Sequence, residues 1–220
     1  MKSPRSTYIP ALKYHALTRY YDWVASLTTR EKIFKTALVN QAAPLAGKHL
    51  LDVGCGTGTL TQMFAEREPS LTITGLDADS GALELAKTKF ASMDQRVSLW
   101  QGFAQDMPFE TATFDVAVSS LFFHHLTRLQ KLDVLKQIHR VLKPGGSLLV
   151  ADWGKPSSSI QRMLFLLVQC LDGFETTRDN VKGVLPFLIE EAGFVVVGSK
   201  DCVATPLGTI QFIQAKAHLT

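Results

Sequence analysis

The chain has 220 residues, 46% of them hydrophobic, which is enough for one substantial core and too little for two full domains and a linker. Its net charge is +3 with Lys and Arg scattered along the chain, so it has no nucleic-acid footprint. The three cysteines, Cys55, Cys170 and Cys202, are far apart and exclude a disulfide scaffold; with no apolar core behind MKSPRSTYIP and no run near ~18 apolar residues, the expected location is the cytoplasm.

In chain order, Tyr20–Ser26 and Arg30–Gln41 read as two short helices ahead of the main core. Apolar runs of strand length follow at His49–Val53, Leu71–Leu76, Val97–Gln101, Phe114–Ser119 and Ser147–Asp152. Helical patterns separate them at Thr59–Glu66, Ser80–Phe90 and Thr127–Val141. Ser80 is the expected cap of the second, and KPGG at 143–146 the expected stop of the third and turn into the next strand. Strand alternating with helix predicts a mostly parallel sheet covered on both faces. Ser157–Leu171 and Val181–Ala192, the latter interrupted by Pro186, then read as helices, and Phe194–Lys200 and Thr209–Lys216 as a closing strand pair. The expected organisation is a single domain with a helical appendage at 1–46 and the main body at 47–220.

The segment LLDVGCGTGTLT at 50–61 is a buried strand ending in Asp52, a turn with Gly54, Cys55, Gly56 and Gly58, and a helix start. Glycines let the backbone take positive φ and let a ligand approach without meeting a Cβ. A glycine-rich turn alone also suits a dinucleotide, but the acid two positions before the first glycine suits the cationic end of a zwitterion better than a pyrophosphate.

Taken with TGLDADSGALELAK (74–87), QGFAQDMPFETATFDVAVSSLFFHHL (101–126) and RVLKPGGSLLVADWGKP (140–156), this segment resembles the class I S-adenosylmethionine-dependent methyltransferases from about Gly47 to Pro156. The resemblance implies a Rossmann-like, doubly wound, seven-stranded α/β sheet, mostly parallel with the last strand antiparallel, and an N-terminal helical lid carrying Tyr20, Tyr21 and Trp23. It implies S-adenosyl-L-methionine as cofactor, with Gly54, Cys55, Gly56 and Gly58 passing its methionine and ribose parts and Asp52 near its amino group. Asp77 would accept from both ribose hydroxyls, since a carboxylate offers two oxygens to a vicinal diol. Ala78 would face the adenine and Ser119 sit beside the methionine end; Ala104 and Gln105 would offer backbone contacts, with plain loop residues as the competing reading. The sequence departs from the family at Phe103, where an acid usually accepts from the adenine amino group; Asp106 or a backbone group is the expected substitute.

The sulfonium methyl is already electrophilic, so few catalytic residues are required. His124 and His125, directly after the fourth strand, are the candidate general bases; a turn-lining role competes with that reading. No metal is expected, because adjacent histidines lack helical ligand spacing and no third ligand is evident. Outside the core, placement is similar to the ubiquinone and menaquinone biosynthesis C-methyltransferases. The expected partner is a small hydrophobic or aromatic acceptor, and the apolar run IQRMLFLLVQCL (160–171) allows a substrate cover, a peripheral membrane contact, a buried helix or an oligomer contact. A quinone-precursor or lipid-like acceptor, and a cofactor-binding regulatory protein without turnover, are the competing functions. RNA methylation and nicotinamide chemistry are disfavoured for want of their motifs.

Overall fold

The computed structural model describes residues 30–42, 44–91, 96–199 and 201–218. The expected helix Tyr20–Ser26 and its aromatic cluster lie outside these. The first described helix, α1 (Glu31–Gln41), buries Phe34, Leu38 and Val39. It is followed by β1 (His49–Val53), α2 (Thr59–Arg67), β2 (Thr72–Asp77), α3 (Ser80–Phe90), β3 (Val97–Gln101) and β4 (Phe114–Ser120). A single 3-10 turn, Phe123–His125, leads into α4 (Arg128–Val141) and β5 (Leu142–Trp153). The chain closes with α5 (Ser159–Asp172), α6 (Phe174–Lys182), α7 (Leu185–Glu191), β6 (Phe194–Gly198), β7 (Cys202–Ala204) and β8 (Thr209–Ala217).

These strands form one sheet in the order β3-β2-β1-β4-β5-β8-β6, with β7 on β8 as a short addition to the seven expected strands. All pairs from β3 to β5 are parallel, and β8 runs antiparallel to both β5 and β6. Period-two alternation divides the core between the faces. Leu51, Val53 and Ala117 join α4, α7 and β6 on one side, while Leu50, Val116 and Val118 meet α1, α2 and α5 on the other. The Rossmann-like α/β layering is therefore as expected. Strand order reverses between β1 and β4, so the carboxyl ends of those two strands open a crevice.

Local chemistry moves several boundaries. Asp79, not Ser80, caps α3: its backbone is extended and its carboxylate accepts from the Gly81 and Ala82 N–H groups at 2.8 and 3.2 Å. Thr127 and Gln130 form a reciprocal capping box on α4. KPGG lies inside β5 as an irregularity, Leu142 pairing Phe114 before the register resumes at Ser147 opposite Val116. The helix expected over Val181–Ala192 is two helices, because Gly183, at φ 69°, ends α6 in the left-handed conformation and Pro186 falls in the first turn of α7, where no N–H is needed.

Candidate functional site

Three strands carry an acid at this edge of the sheet, Asp52 in β1, Asp77 in β2 and Asp152 in β5, while β4 ends in Ser119 and Ser120. Asp52, in β1, is 1% exposed, and its carboxylate accepts from the Thr61 hydroxyl of α2 at 2.6 Å and from the Thr61 backbone N–H. Burial pushes its carboxyl up to about 6 against the pull of Thr61 and Lys35, and Asp77 adds a like-charge push. Asp77 ends β2, and its two oxygens accept from the Gly56 and Asp79 N–H groups at 2.8 and 2.9 Å. Burial raises its carboxyl despite those bonds. The Gly102 N–H donates to the Asp77 carbonyl at 2.9 Å, which brings the loop carrying Ala104 and Gln105 alongside; Ala104 is buried and Gln105 half-buried.

Between the two acids runs the glycine turn, with Gly54, Gly56 and Gly58 all at positive φ. A Cβ on Gly54 would come within 2.4 Å of the Phe122 ring, so this glycine is required by packing. Gly56, at φ 52°, has nothing within 4 Å of its would-be Cβ, so its side-chain face opens onto free space. Cys55 is buried against Gly75 of β2, where a Cβ would come within 2.9 Å of its sulfur, and burial pushes its thiol up. The N–H groups of Gly54 and Cys55 donate to the Leu76 carbonyl, that of Gly56 to Asp77 and that of Gly58 to the Cys55 carbonyl. A diphosphate, which needs free backbone donors, would find none on these four residues. A buried carboxylate held only by Thr61, beside a Cβ-free wall, instead fits the ammonium end of a zwitterionic ligand.

Ser119 of β4 is fully buried, and its hydroxyl donates to the Val53 carbonyl at 2.9 Å, tying the two strand ends together. Ala78 is half-buried beside Asp77, Phe103 is 44% exposed, and Asp106 is exposed with its N–H on the Phe103 carbonyl.

His124 and His125 sit in the 3-10 turn, their ring centres 3.9 Å apart and their planes tilted by 42°. Asp152, near the end of β5, organises this turn. One of its oxygens accepts from the Phe122 and Phe123 N–H groups at 3.1 and 2.7 Å, and the other pairs with His124 Nδ1 at 2.8 Å. His124 Nε2 faces Asp172 Oδ2 at 3.7 Å, and His125 Nδ1 lies 4.0 Å from Asp172 Oδ1. Burial acts to lower His124, but Asp152 and Asp172 outweigh it and its pKa is raised; burial and the neighbouring His124 push His125 down to about 3. Asp172, from the end of α5, is the third group that local sequence did not reveal. Behind it, Lys131 of α4 donates to the Thr176 carbonyl at 2.6 Å, and the Asn180 amide donates to the Trp153 carbonyl at 2.8 Å. Asp152 itself was legible: like Asp52 and Asp77, it is an acid at the carboxyl end of an apolar parallel strand.

Helix α5 buries Phe165 and Val168 and turns Ile160, Met163, Leu167 and Leu171 outward. It has 14 residues, and among the described residues no helix is long and apolar enough to cross a membrane.

Comparison with known proteins agrees with this geometry. A family model described as a methyltransferase domain matches residues 50–146, from β1 into β5. The chain is 32% identical over 208 residues to the uncharacterized methyltransferase sll0829 of Synechocystis, covering 91% of this chain and 94% of that one. It is 35% identical over 126 residues to the ubiquinone/menaquinone biosynthesis C-methyltransferase UbiE of Cereibacter sphaeroides, a match spanning 56% of this chain and half of that protein. A crystal structure of a SAM-dependent methyltransferase from Methanosarcina mazei superposes with a TM-score of 0.69 at 21% identity, over 83% of this chain and 98% of that one. With the acid-flanked glycine turn at the switch of a 3-2-1-4-5 sheet, these matches establish that the chain belongs to the class I S-adenosylmethionine-dependent methyltransferases.

Proposed function

We propose that this enzyme methylates a small hydrophobic or aromatic acceptor. The observation that carries the cofactor half of this reading is the buried Asp52 carboxylate together with the open face of Gly56 in the turn that follows it. S-adenosylmethionine, when bound, supplies a methyl group already activated on a sulfonium. The chain's own residues bind, orient and exclude water. Asp52 receives the ammonium of the methionine end, and the second lone pairs of the Asp77 oxygens accept from the ribose hydroxyls. Gly54, Cys55 and Gly58 form the wall beside these groups. Ala78, Ala104 and Gln105 flank the adenine, and Ser119 fixes the gap between β1 and β4 next to the reacting end. His124 and His125 belong to the acceptor end, because Phe122 beside them lies against Gly54. Asp152 fixes His124, and His125, with a one-third exposed side chain, presents a neutral ring to the acceptor.

Two predictions test the cofactor placement. Gly56→Ala is expected to lower cofactor affinity about tenfold or more while costing only about 1 kcal/mol of stability, since its Cβ meets open space and only the left-handed backbone opposes it. Calorimetric titration beside thermal melts reads both; an Ala variant that binds normally would remove the cofactor from this wall.

The second prediction concerns pH. The Asp52 carboxyl is raised from 3.8 to about 6, so the apo fold is favoured by its protonated form and loses that stabilisation as pH rises from about 4 through 6. A cationic ligand end selects the ionised form, so affinity should rise as pH increases, by on the order of tenfold between pH 5 and 7.5. Asp52→Asn should flatten that profile, and an equally steep profile in the Asn protein would contradict the pairing.

Acceptor class is tested by following S-adenosylhomocysteine release with panels of phenols, hydroquinones, amines and short acids. The proposal expects turnover with apolar aromatic acceptors in plain buffer, and turnover confined to polar acceptors would overturn it. A second reading, a quinone-precursor or lipid-like acceptor met at a membrane surface, is supported by the similarity to UbiE and the outward apolar residues of α5. It expects turnover only when lipid vesicles are added.

A further inference from the structure

We propose that His124, His125 and Asp172 form a binding site for one divalent transition-metal ion of the zinc type. One ligand atom from each of the three residues lies within 4.8 Å of the other two. The sequence brings them together from two places: the 3-10 turn after β4 supplies the two imidazoles, and the last residue of α5 supplies the carboxylate.

The distances discriminate between a proton and a metal ion. His124 Nδ1 pairs with Asp152 at 2.8 Å, which assigns the ring proton to Nδ1 and leaves a lone pair on Nε2. That lone pair faces Asp172 Oδ2 at 3.7 Å, and His125 Nδ1 faces Oδ1 at 4.0 Å. A carboxylate and two imidazoles that converge in this way offer a cation three donor atoms. Both gaps are too long for a hydrogen bond, whose donor and acceptor approach within about 3.2 Å. They are close to what a metal needs, since two ligand bonds of about 2.0–2.2 Å at tetrahedral to trigonal angles span roughly 3.3–3.8 Å.

Two further observations point the same way. The Asp172 side chain is only 6% exposed, yet among the described residues no N–H or O–H group donates to it, so a buried carboxylate is held ready with both oxygens free. Asp152 behind His124 repeats the carboxylate–imidazole–metal arrangement, in which the outer acid fixes tautomer and ring orientation. Two imidazoles and one carboxylate suit zinc or a similar first-row ion, and three protein ligands leave a fourth position for water or an oxygen donor. The site stands independently of which acceptor is methylated.

The test is titration of the untagged, chelator-treated full chain with zinc chloride by calorimetry, with cobalt(II) as a visible-absorption probe. Expected are one ion per chain with micromolar or tighter affinity and a cobalt d–d band of low-coordinate intensity. Affinity should fall at least ~100-fold in His125→Ala and in Asp172→Asn, each checked by circular dichroism, with partial recovery in Asp172→Glu. His125→Ala, at the more exposed ligand, keeps the test decisive if the Asp172 variant fails to fold. Wild-type affinity no tighter than that of the variants, or one-to-one binding that survives both substitutions, would overturn the proposal and leave the gap to solvent.

Discussion

Asp77→Ala is expected to lower S-adenosylmethionine affinity by about 100-fold while the fold survives. The carboxylate ends β2 directly across from the glycine turn, and two charge-assisted hydrogen bonds to a diol contribute about 3 kcal/mol together, which is roughly that factor. The fold tolerates the loss because the Asp77 backbone stays paired: its carbonyl accepts from Gly102, and β2 keeps its parallel register with β1 and β3. Removing a carboxylate that burial already penalises partly offsets the Gly56 and Asp79 N–H groups left unpaired, so the stability change should stay at about 1–2 kcal/mol. Asp77→Asn retains one acceptor and should fall between, near tenfold. Unchanged affinity in the Ala variant would put the ribose somewhere else.

Asp152→Ala should instead be a stability variant, costing about 3–5 kcal/mol and lowering the melting temperature by on the order of 10 °C. This carboxylate is 1% exposed and is the anchor of the turn between β4 and α4: Phe122, Phe123 and the His124 ring all bond to it. Deleting it strands the backbone donors of Phe122, Phe123, His124 and Trp153 and a buried imidazole at once, and each unpaired buried group carries its own desolvation penalty. Asp152→Asn keeps an acceptor for the turn and should recover about half of the loss. Denaturant unfolding checks both, and a loss under 1 kcal/mol in the Ala protein would mean that the turn is held by packing alone.

The sequence made much of this legible because the sheet is built from local signals. The apolar runs of β1 and β3 match the predicted spans, β2 is shifted by one residue at both ends and β4 runs one residue further, since a buried parallel strand leaves little freedom in where an apolar run begins and stops. Asp52, Asp77 and the glycines could be placed because one strand–turn–helix unit carries them. What escaped depended on partners distant in sequence. Asp172 meets the histidines only because α5 returns across the end of the sheet, and no spacing rule links positions 125 and 172. Pro186 was read as an interruption within a helix, where Gly183 supplies a stop and Pro186 a start. Ser80 and Asp79 are both good caps, and only the backbone geometry selects the aspartate.

The most direct test of the central claim is parallel calorimetric titration of the purified chain with S-adenosylmethionine, S-adenosylhomocysteine and NAD. Micromolar binding of both sulfur ligands, about −8 kcal/mol, is expected and none of NAD, whose diphosphate would meet the N–H groups of Gly54, Cys55, Gly56 and Gly58 already engaged. Binding of NAD with neither sulfur ligand would contradict the reading of Asp52, Gly56 and Asp77 as a methyl-donor site.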